Sequence, residues 1–416
     1  MKYDLIVVGG GFTGVAAAIA AAREGLKVLI AEAGGFLGGA AGNNLVNPFM
    51  PYATTVDGEI IELSQGLFKT FVERLDKEGA YDAKRKIFHE EYVKLILDRM
   101  TKEYGVDVLF HALLTGVKND GEKIVSLTFS GKSGSFELEA DQYIDATGDA
   151  DLSYLAGCSF RLGRDADHLC QPMTLCFRMA NIDKEQYYAH RAEINPLYNE
   201  WQKEGKIKNL RENVLIFDNL LPGVLHFNST RIVKLDPTNP FDLSKAEMDA
   251  REQMFELLNF MKTNIPGFEN AEIAFSAPAI GVRESRMING RHILTAEELK
   301  DCTRFPDAIA AGNYDIDIHN PEGTGTSHYY FPAGQYYTIP YSCLIPEGKS
   351  NLLVAGRCLS ATHEAQASIR IMPICATTGE AAGVGAAVAH KSGVPTYASD
   401  IKEIQRILLQ NGAFIG

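Results

Sequence analysis

Residues 4–14 read DLIVVGGGFTG, and residues 15–25 continue VAAAIAAAREG. The first five residues form a nearly continuous apolar run, as a parallel strand buried on both faces requires. Gly9, Gly11 and Gly14 then follow with the spacing G-x-G-x-x-G. The first glycine permits a tight turn, the second lets backbone approach a pyrophosphate, and the third lets a helix pack closely on the sheet. Phosphates would rest on the N–H groups at the positive end of that helix. Alanines at 16, 17, 18, 20, 21 and 22 suit close packing, and Gly25 is placed to stop the helix. A second strand, KVLIAE, ends at Glu32. An acid there accepts hydrogen bonds from ribose hydroxyls and repels a 2′-phosphate. Strand, glycine turn, helix, strand and acid in this order predict a Rossmann-type α/β dinucleotide-binding unit.

The chain has 416 residues, enough for two or three folding units. Its formal net charge is −13 and no Lys/Arg block interrupts the acidic balance, which argues against nucleic acid as a partner on electrostatic grounds. A local pair of arginines can still hold a small acidic substrate. Seven cysteines at 158, 170, 176, 302, 343, 358 and 375 make no CxxC pair. That argues against a disulfide framework, a zinc ribbon and an iron–sulfur cluster, and no metal is expected. The N-terminus enters YDLIVVGG at once, where a cleaved signal would remove the first strand. No apolar run reaches membrane-spanning length, because residues 15–22 run into Arg23 and Glu24. The expectation is a cytoplasmic protein without a membrane span.

After Glu32 comes AGGFLGGAAGNN (33–44), with glycines at 34, 35, 38, 39 and 42. Such a stretch fits backbone approaching a ligand longer than NAD, or a flexible loop. Further on, DQYIDATGDADLSYLAG (141–157) predicts a strand ending at Ala146-Thr147-Gly148, with Asp149 or Asp151 as the cap of a short helix.

With GGGFTG (9–14) and Glu32, the segments IDATGDADL (144–152), GVRESR (281–286) and LLVAGRCLSATHEAQASIRIMPICATTGEAAG (352–383) resemble the FAD-dependent oxidoreductase family. That family is related to the glutathione-reductase and fumarate-reductase type flavoproteins. The resemblance spans nearly the whole chain. It implies FAD lying extended, with its pyrophosphate at Gly9, Gly11, Phe12, Thr13 and Gly14 and its ribose at Glu32, beside Ala33, Gly39 and Ala40. Ala146, Thr147 and Gly148 would lie near the adenosine side. The chain would return through Gly356, Arg357, Arg370 and Pro373 to complete the flavin site. Some relatives attach FAD through a His after the second strand, but GGAAGNNLVNP (38–48) has none, so FAD is expected to bind non-covalently. No second strand–G-x-G-x-x-G–helix unit is present, so no built-in NAD(P)H domain is expected and the electron acceptor stays unidentified.

Residues 51–84 and 161–339 differ in texture and hold most of the aromatics, including the single tryptophan, Trp201. The expected organisation is a discontinuous FAD domain (1–50, 85–160 and 340–416) with an inserted α+β substrate domain (51–84 and 161–339). Within the insert, SKAEMDAREQMFELLNFMKTNIPGF (244–268) predicts a helix capped by Ser244 with Glu247 at the capping-box position. Its core face would hold Met248, Met254, Phe255, Leu257, Leu258 and Met261.

Arg283 and Arg286 in GVRESR could converge on an acidic substrate, or pair with Glu284 and its neighbours. VLHFNSTRI (224–232) puts His226, Asn228 and Thr230 on one strand face, either lining a pocket or facing solvent. The aromatic loop 316–341, with His319 and His328, reads as a lid or as an interface between copies. His363 and Arg370 stand just before the last Ala/Gly-rich helix. Two motifs are only apparent: HEAQA (363–367) lacks the second His of a zinc protease, and SGKSGS (130–135) lacks the upstream Walker glycine.

Together these features predict an FAD-dependent oxidoreductase passing a hydride between flavin and a small polar substrate, hydroxylated or carboxylate-bearing. Catalytic candidates are His363, Arg370, Arg283, His319 and His226. A flavin-bound tRNA-modification-like protein and an NAD-dependent dehydrogenase are the alternatives. The reading leaves room for a homo-oligomer.

Overall fold

A computed structural model describes residues 2–416. Its main sheet is built from β1 (Lys2–Val8), β2 (Val28–Ala31), β3 (Asp107–Leu109), β4 (Leu113–Asp120), β5 (Lys123–Gly131), β6 (Gly134–Asp145) and β7 (Leu352–Val354). The parallel part runs in the order β3-β2-β1-β6-β7. β4, β5 and the first half of β6 form an antiparallel meander on the side of β6 away from β1. The strand that closes the parallel sheet thus comes from residue 352 onward, so the nucleotide-binding unit is discontinuous in sequence. This is a mixed α/β fold of Rossmann type with an insertion.

Three helices pack on one face: α1 (Phe12–Arg23), α2 (Leu67–Lys77) and α3 (Glu90–Glu103). The inserted α4 (Pro240–Asn264) lies elsewhere, and α5 (His363–Ile369) leads into α6 (Met372–Ser392). α6 lies directly on α1. A Cβ on Gly379 would stand 2.2 Å from the Thr13 carbonyl oxygen, and one on Gly383 would stand 2.1 Å from that of Ala17. Only glycine permits such contact, which is why this helix is so poor in side-chain volume. Phe12, Phe49, Phe68, Phe71 and Phe88 fill the space beside it, with Phe12 and Phe71 centroids 4.9 Å apart at 82°. Edge-on pairs of this kind add about 0.5–1.5 kcal/mol each beyond their buried area.

Residues 67–77 were expected in the substrate domain. They instead bury Leu67, Phe68, Phe71 and Leu75 in the same core as α1, because the aromatic residues of the two helices interlock. The insert has its own core around a four-stranded antiparallel sheet, ordered 216–218, 225–227, 177–180, 272–276. Against this core α4 packs Met254, Leu257, Phe260 and Met261.

Two local expectations are corrected. α4 begins at Pro240, not after Ser244: Asn239 accepts a hydrogen bond from the Phe241 N–H, and Pro240 needs no donor at the first position. The longer helix turns Met248 and Phe255 outward, 59% and 57% exposed. Neither Asp149 nor Asp151 caps the helix after Gly148. Ala150 holds the capping position in a left-handed conformation, and Thr147 Oγ1 accepts from the Asp151 N–H. No single helix among the described residues is long and apolar enough to cross a membrane.

Candidate functional site

The site begins at the end of β1. Gly9 has φ +101°, and a Cβ there would stand 2.4 Å from the Ala146 carbonyl oxygen. The turn after β1 and the turn after β6 therefore touch, and any side chain would push them apart. A Cβ on Gly14 would stand 1.8 Å from the Gly9 oxygen, so Gly14 serves the packing of α1 rather than the site surface. No side chain caps α1, and no acidic residue stands in its first turn. Its positive end opens into a cavity of about 660 Å³, within the range typical of cofactor and ligand sites.

Gly9, Gly11, Phe12 and Thr13 line that cavity, as do Glu32, Ala33, Gly39 and Ala40. Ala146, Thr147 and Gly148 face it from the β6 turn. Glu32 ties two loops together: Oε2 accepts from the Gly10 N–H and Oε1 from the Gly34 N–H, both at 2.6 Å. Arg357 lines the cavity and donates to Asp149 Oδ1 at 2.9 Å and to Ser285 Oγ at 3.3 Å. Burial works against its charge, but Asp149 outweighs that and holds the guanidinium protonated. Gly356 and Pro373 do not line the cavity. Gly356 has φ +79°, and a Cβ there would stand 2.4 Å from Thr13 Oγ1; Pro373 sits in the first turn of α6. Met372 and Cys375 of that turn reach the cavity instead.

The far end of the cavity is made by the insert. Arg283 and Arg370 both line it, with Thr174, Asn228 and Glu247. Arg283 donates to the Pro172 carbonyl and to Thr174 Oγ1, each at 2.6 Å, and to Asn228 Oδ1 at 3.3 Å. All three acceptors are neutral, and no carboxylate lies within ion-pair distance of Arg283 among the described residues. Burial first, then the charges of Arg370 and Arg211, push its pKa down to about 9. Arg370 donates to Asp317 Oδ2 at 3.3 Å, while its buried Nε has no acceptor. The cavity thus ends in positive charge that the protein compensates only in part.

The other candidates lie elsewhere. Arg286 turns away from Arg283, donating to Asp151 Oδ1 at 2.9 Å and lying over the Tyr154 ring. His226 is corrected as a cavity residue. It is fully buried against the Arg178 guanidinium and the Phe217 ring, and burial, then Arg178, hold its pKa far below the usual imidazole range. Its strand-face neighbour Asn228 is the one that reaches the cavity. His319 stands behind Arg370, with Nε2 3.3 Å from Asp317 Oδ2 and Nδ1 3.1 Å from Thr326 Oγ1. Burial and then Arg283 lower its pKa to about 3, so it is neutral. His363 binds Glu284 Oε1 through Nδ1 at 2.7 Å and lines a separate, open cavity of about 480 Å³. The 316–341 loop forms a hairpin, pairing 316–319 with 326–329, and none of its residues lines the main cavity.

Thr174, Cys176, Asn43, Asn44 and Glu247 also line the cavity and are not among the site residues expected from the sequence. Asn43 and Asn44 follow directly on the glycine-rich stretch, which was the available signal. Thr174 sits in a segment with no motif and Glu247 reads in the sequence as a helix-capping residue, so only tertiary packing brings them here.

A family model described as FAD dependent oxidoreductase matches residues 4–408. No curated protein matches the chain. Among solved structures, the fold is similar to a geranylgeranyl bacteriochlorophyll reductase-like protein from Thermoplasma acidophilum, at 13% identity and a TM-score of 0.46, covering 98% of this chain and 83% of that one. It is similar as well to p-nitrophenol 4-monooxygenase from Pseudomonas putida DLL-E4, at 10% identity and a TM-score of 0.46, covering 99% and 85%. A third is a flavoprotein/dehydrogenase from Cytophaga hutchinsonii, at 14% identity and a TM-score of 0.46, covering 100% and 86%.

Proposed function

The chain belongs to the FAD dependent oxidoreductase family, and we propose that it transfers a hydride between FAD and a small carboxylate-bearing substrate. FAD is the cofactor, and the residues present fit it. Glycines at 9 and 11 leave the space that side chains would fill, and the uncapped start of α1 offers N–H donors to a pyrophosphate. Glu32 would hold the ribose, and Ala146 to Gly148 would lie along the adenosine side. When bound, FAD supplies a two-electron centre that accepts or returns a hydride. The return of β7 and α6 to the first sheet supports grouping the chain with the glutathione-reductase and fumarate-reductase type flavoproteins.

The observation that carries the substrate reading is Arg283. It is a guanidinium in the cavity wall whose donors meet only neutral oxygens. Leaving a charge there without a counterion is costly, and a substrate carboxylate removes that cost while accepting two parallel hydrogen bonds. Arg370 adds a second positive group, and Asn228 a neutral one that can hold a hydroxyl. With one end of the substrate fixed, its reacting carbon is oriented rather than left to diffuse. Among the described residues no His or Tyr lines the cavity, so the expected imidazole base is replaced by the arginines and Glu247. The same grip on a carboxylate serves the opposite direction as well, reduction of an unsaturated carboxylate.

An anaerobic screen tests the reading. Purified protein is expected to be yellow and to release FAD on denaturation. Either 2-hydroxy acids bleach it, or the chemically reduced protein is reoxidised by unsaturated dicarboxylates. Arg283→Leu should weaken that response at least tenfold while FAD content is kept. Equal bleaching of parent and R283L by uncharged sugars or polyols alone would overturn the carboxylate reading.

A further inference from the structure

Arg283 reaches the cavity from a loop, whereas Arg370 ends helix α5. Something must hold the two at a fixed separation if they grip one anion. We propose that His363 and Gln366, one turn apart on α5, are positioning residues that clamp the 283–284 segment and keep Arg283 in register with Arg370. The inference rests on the anion-binding reading of the cavity and adds the device that sets its geometry.

Successive residues of the loop meet successive turns of the helix. Gln366 Nε2 donates to the Arg283 carbonyl oxygen at 2.8 Å, and His363 Nδ1 lies 2.7 Å from Glu284 Oε1. Gln171 closes the circuit: its backbone N–H donates to Glu284 Oε2 at 2.8 Å, and its side-chain amide to Gln366 Oε1 at 3.2 Å. Glu284 and Gln366 are 0% exposed and Gln171 is 1% exposed, so water does not compete for these bonds. At the end of the same helix the Arg370 N–H bonds the Gln366 carbonyl at 3.2 Å. Arg283 and Arg370 are therefore both referred to Gln366.

An apolar core would fill this space at lower cost, since burying a carboxylate is expensive unless it is paired. What a charged, fully bonded circuit adds is one permitted geometry. The charge balance depends on pH. His363 faces Glu284 from the loop, Glu364 on its own helix and Arg164 from the segment before residue 171. Burial lowers its affinity for a proton, but Glu284 outweighs burial and the net shift is upward. As pH rises through that raised value, Glu284 loses its counterion and the clamp slackens, so anion affinity should fall on the alkaline side.

The test uses the full-length, FAD-loaded protein and two readouts. Phenylglyoxal labelling, mapped by mass spectrometry, reports the reactivity of Arg283 relative to Arg286, which is bound to Asp151 outside the clamp. Succinate titration, followed by the visible absorption of the bound flavin, reports anion affinity. His363→Gln and Gln366→Leu are expected to raise the Arg283/Arg286 labelling ratio at least fivefold and to weaken succinate at least tenfold. The double variant His363→Gln/Glu284→Gln, with no buried charge left unpaired, should recover much of both, and should lose the alkaline fall in succinate affinity. A labelling ratio within twofold of the parent in Gln366→Leu and in whichever His363 variant folds would overturn the clamp. A raised ratio in a protein that never binds succinate would leave the clamp standing and overturn the carboxylate reading.

Discussion

Glu32 ties two loops of the fold together, and in the proposed reading the same side chain holds the ligand. Its two oxygens are each 2.6 Å from a backbone N–H, one in the first glycine turn and one in the second glycine-rich stretch. Hydrogen bonds to a charged acceptor are worth roughly 1.5–3 kcal/mol each. Glu32→Ala should therefore weaken FAD at least tenfold, read as dissociation on dilution, while Glu32→Gln, which keeps one acceptor, should lose less. Equal FAD retention in all three proteins would remove Glu32 from the site. This residue was legible in the sequence because its context is local: a strand, a glycine turn and a helix fix where the second strand must end. The histidines were not. His226 alternates with Asn228 on one strand, yet burial under Arg178 sends the first into the core and leaves the second in the cavity. That outcome depends on partners nearly 50 residues away in the chain, and no period along the strand encodes it.

At the scale of elements, the decisive contact is α6 on α1, where Gly379 and Gly383 let the two backbones meet. The same helix carries a carboxylate into the core. Glu380 is 1% exposed, and its Oε2 accepts from the Leu67 N–H at the start of α2 at 2.9 Å, which ties α2 to α6. Burial raises its pKa from 4.5 to about 7. A carboxyl with a raised folded pKa favours folding when protonated, so this stability is present below pH 4.5 and is lost as pH rises toward 7. Glu380→Gln keeps an oxygen for Leu67 and cannot ionise. It should match the parent near pH 4.5 and exceed it at pH 8 by up to about 3 kcal/mol, since each tenfold change in proton affinity is worth roughly 1.4 kcal/mol. Denaturant midpoints that track each other across this range would overturn the assignment. The start of α4 taught a different lesson. Ser244 with Glu247 looked like a capping box, but Asn239-Pro240 capped one turn earlier, and Glu247 was left free to accept from the Ile280 N–H beside the cavity.

For the whole molecule, the question is how an insert with its own core is held against the nucleotide-binding unit so that one cavity spans both. The joint includes a buried ionic cluster. Arg178, on the central 177–180 strand of the insert, donates to Glu90 at the start of α3, contacts His226, and reaches the Leu45 carbonyl at 3.5 Å. Arg178 is 0% and Glu90 5% exposed, and burial pushes the Arg178 pKa down to about 9. Removing one partner of such a pair leaves an unpaired charge in the core, at a cost of roughly 3–5 kcal/mol, whereas replacing both with apolar groups is far better tolerated. Glu90→Gln should therefore loosen the insert before it melts the Rossmann-type sheet. Calorimetry is expected to show one transition for the parent, two for E90Q with the lower assigned to residues 177–271 by hydrogen exchange, and one again for Glu90→Leu/Arg178→Leu. Since the cavity needs both units, E90Q should lose succinate binding at temperatures where FAD is still retained. A single transition in E90Q, with FAD and succinate lost together, would mean that the two units fold as one cooperative body and that the cluster is not their joint.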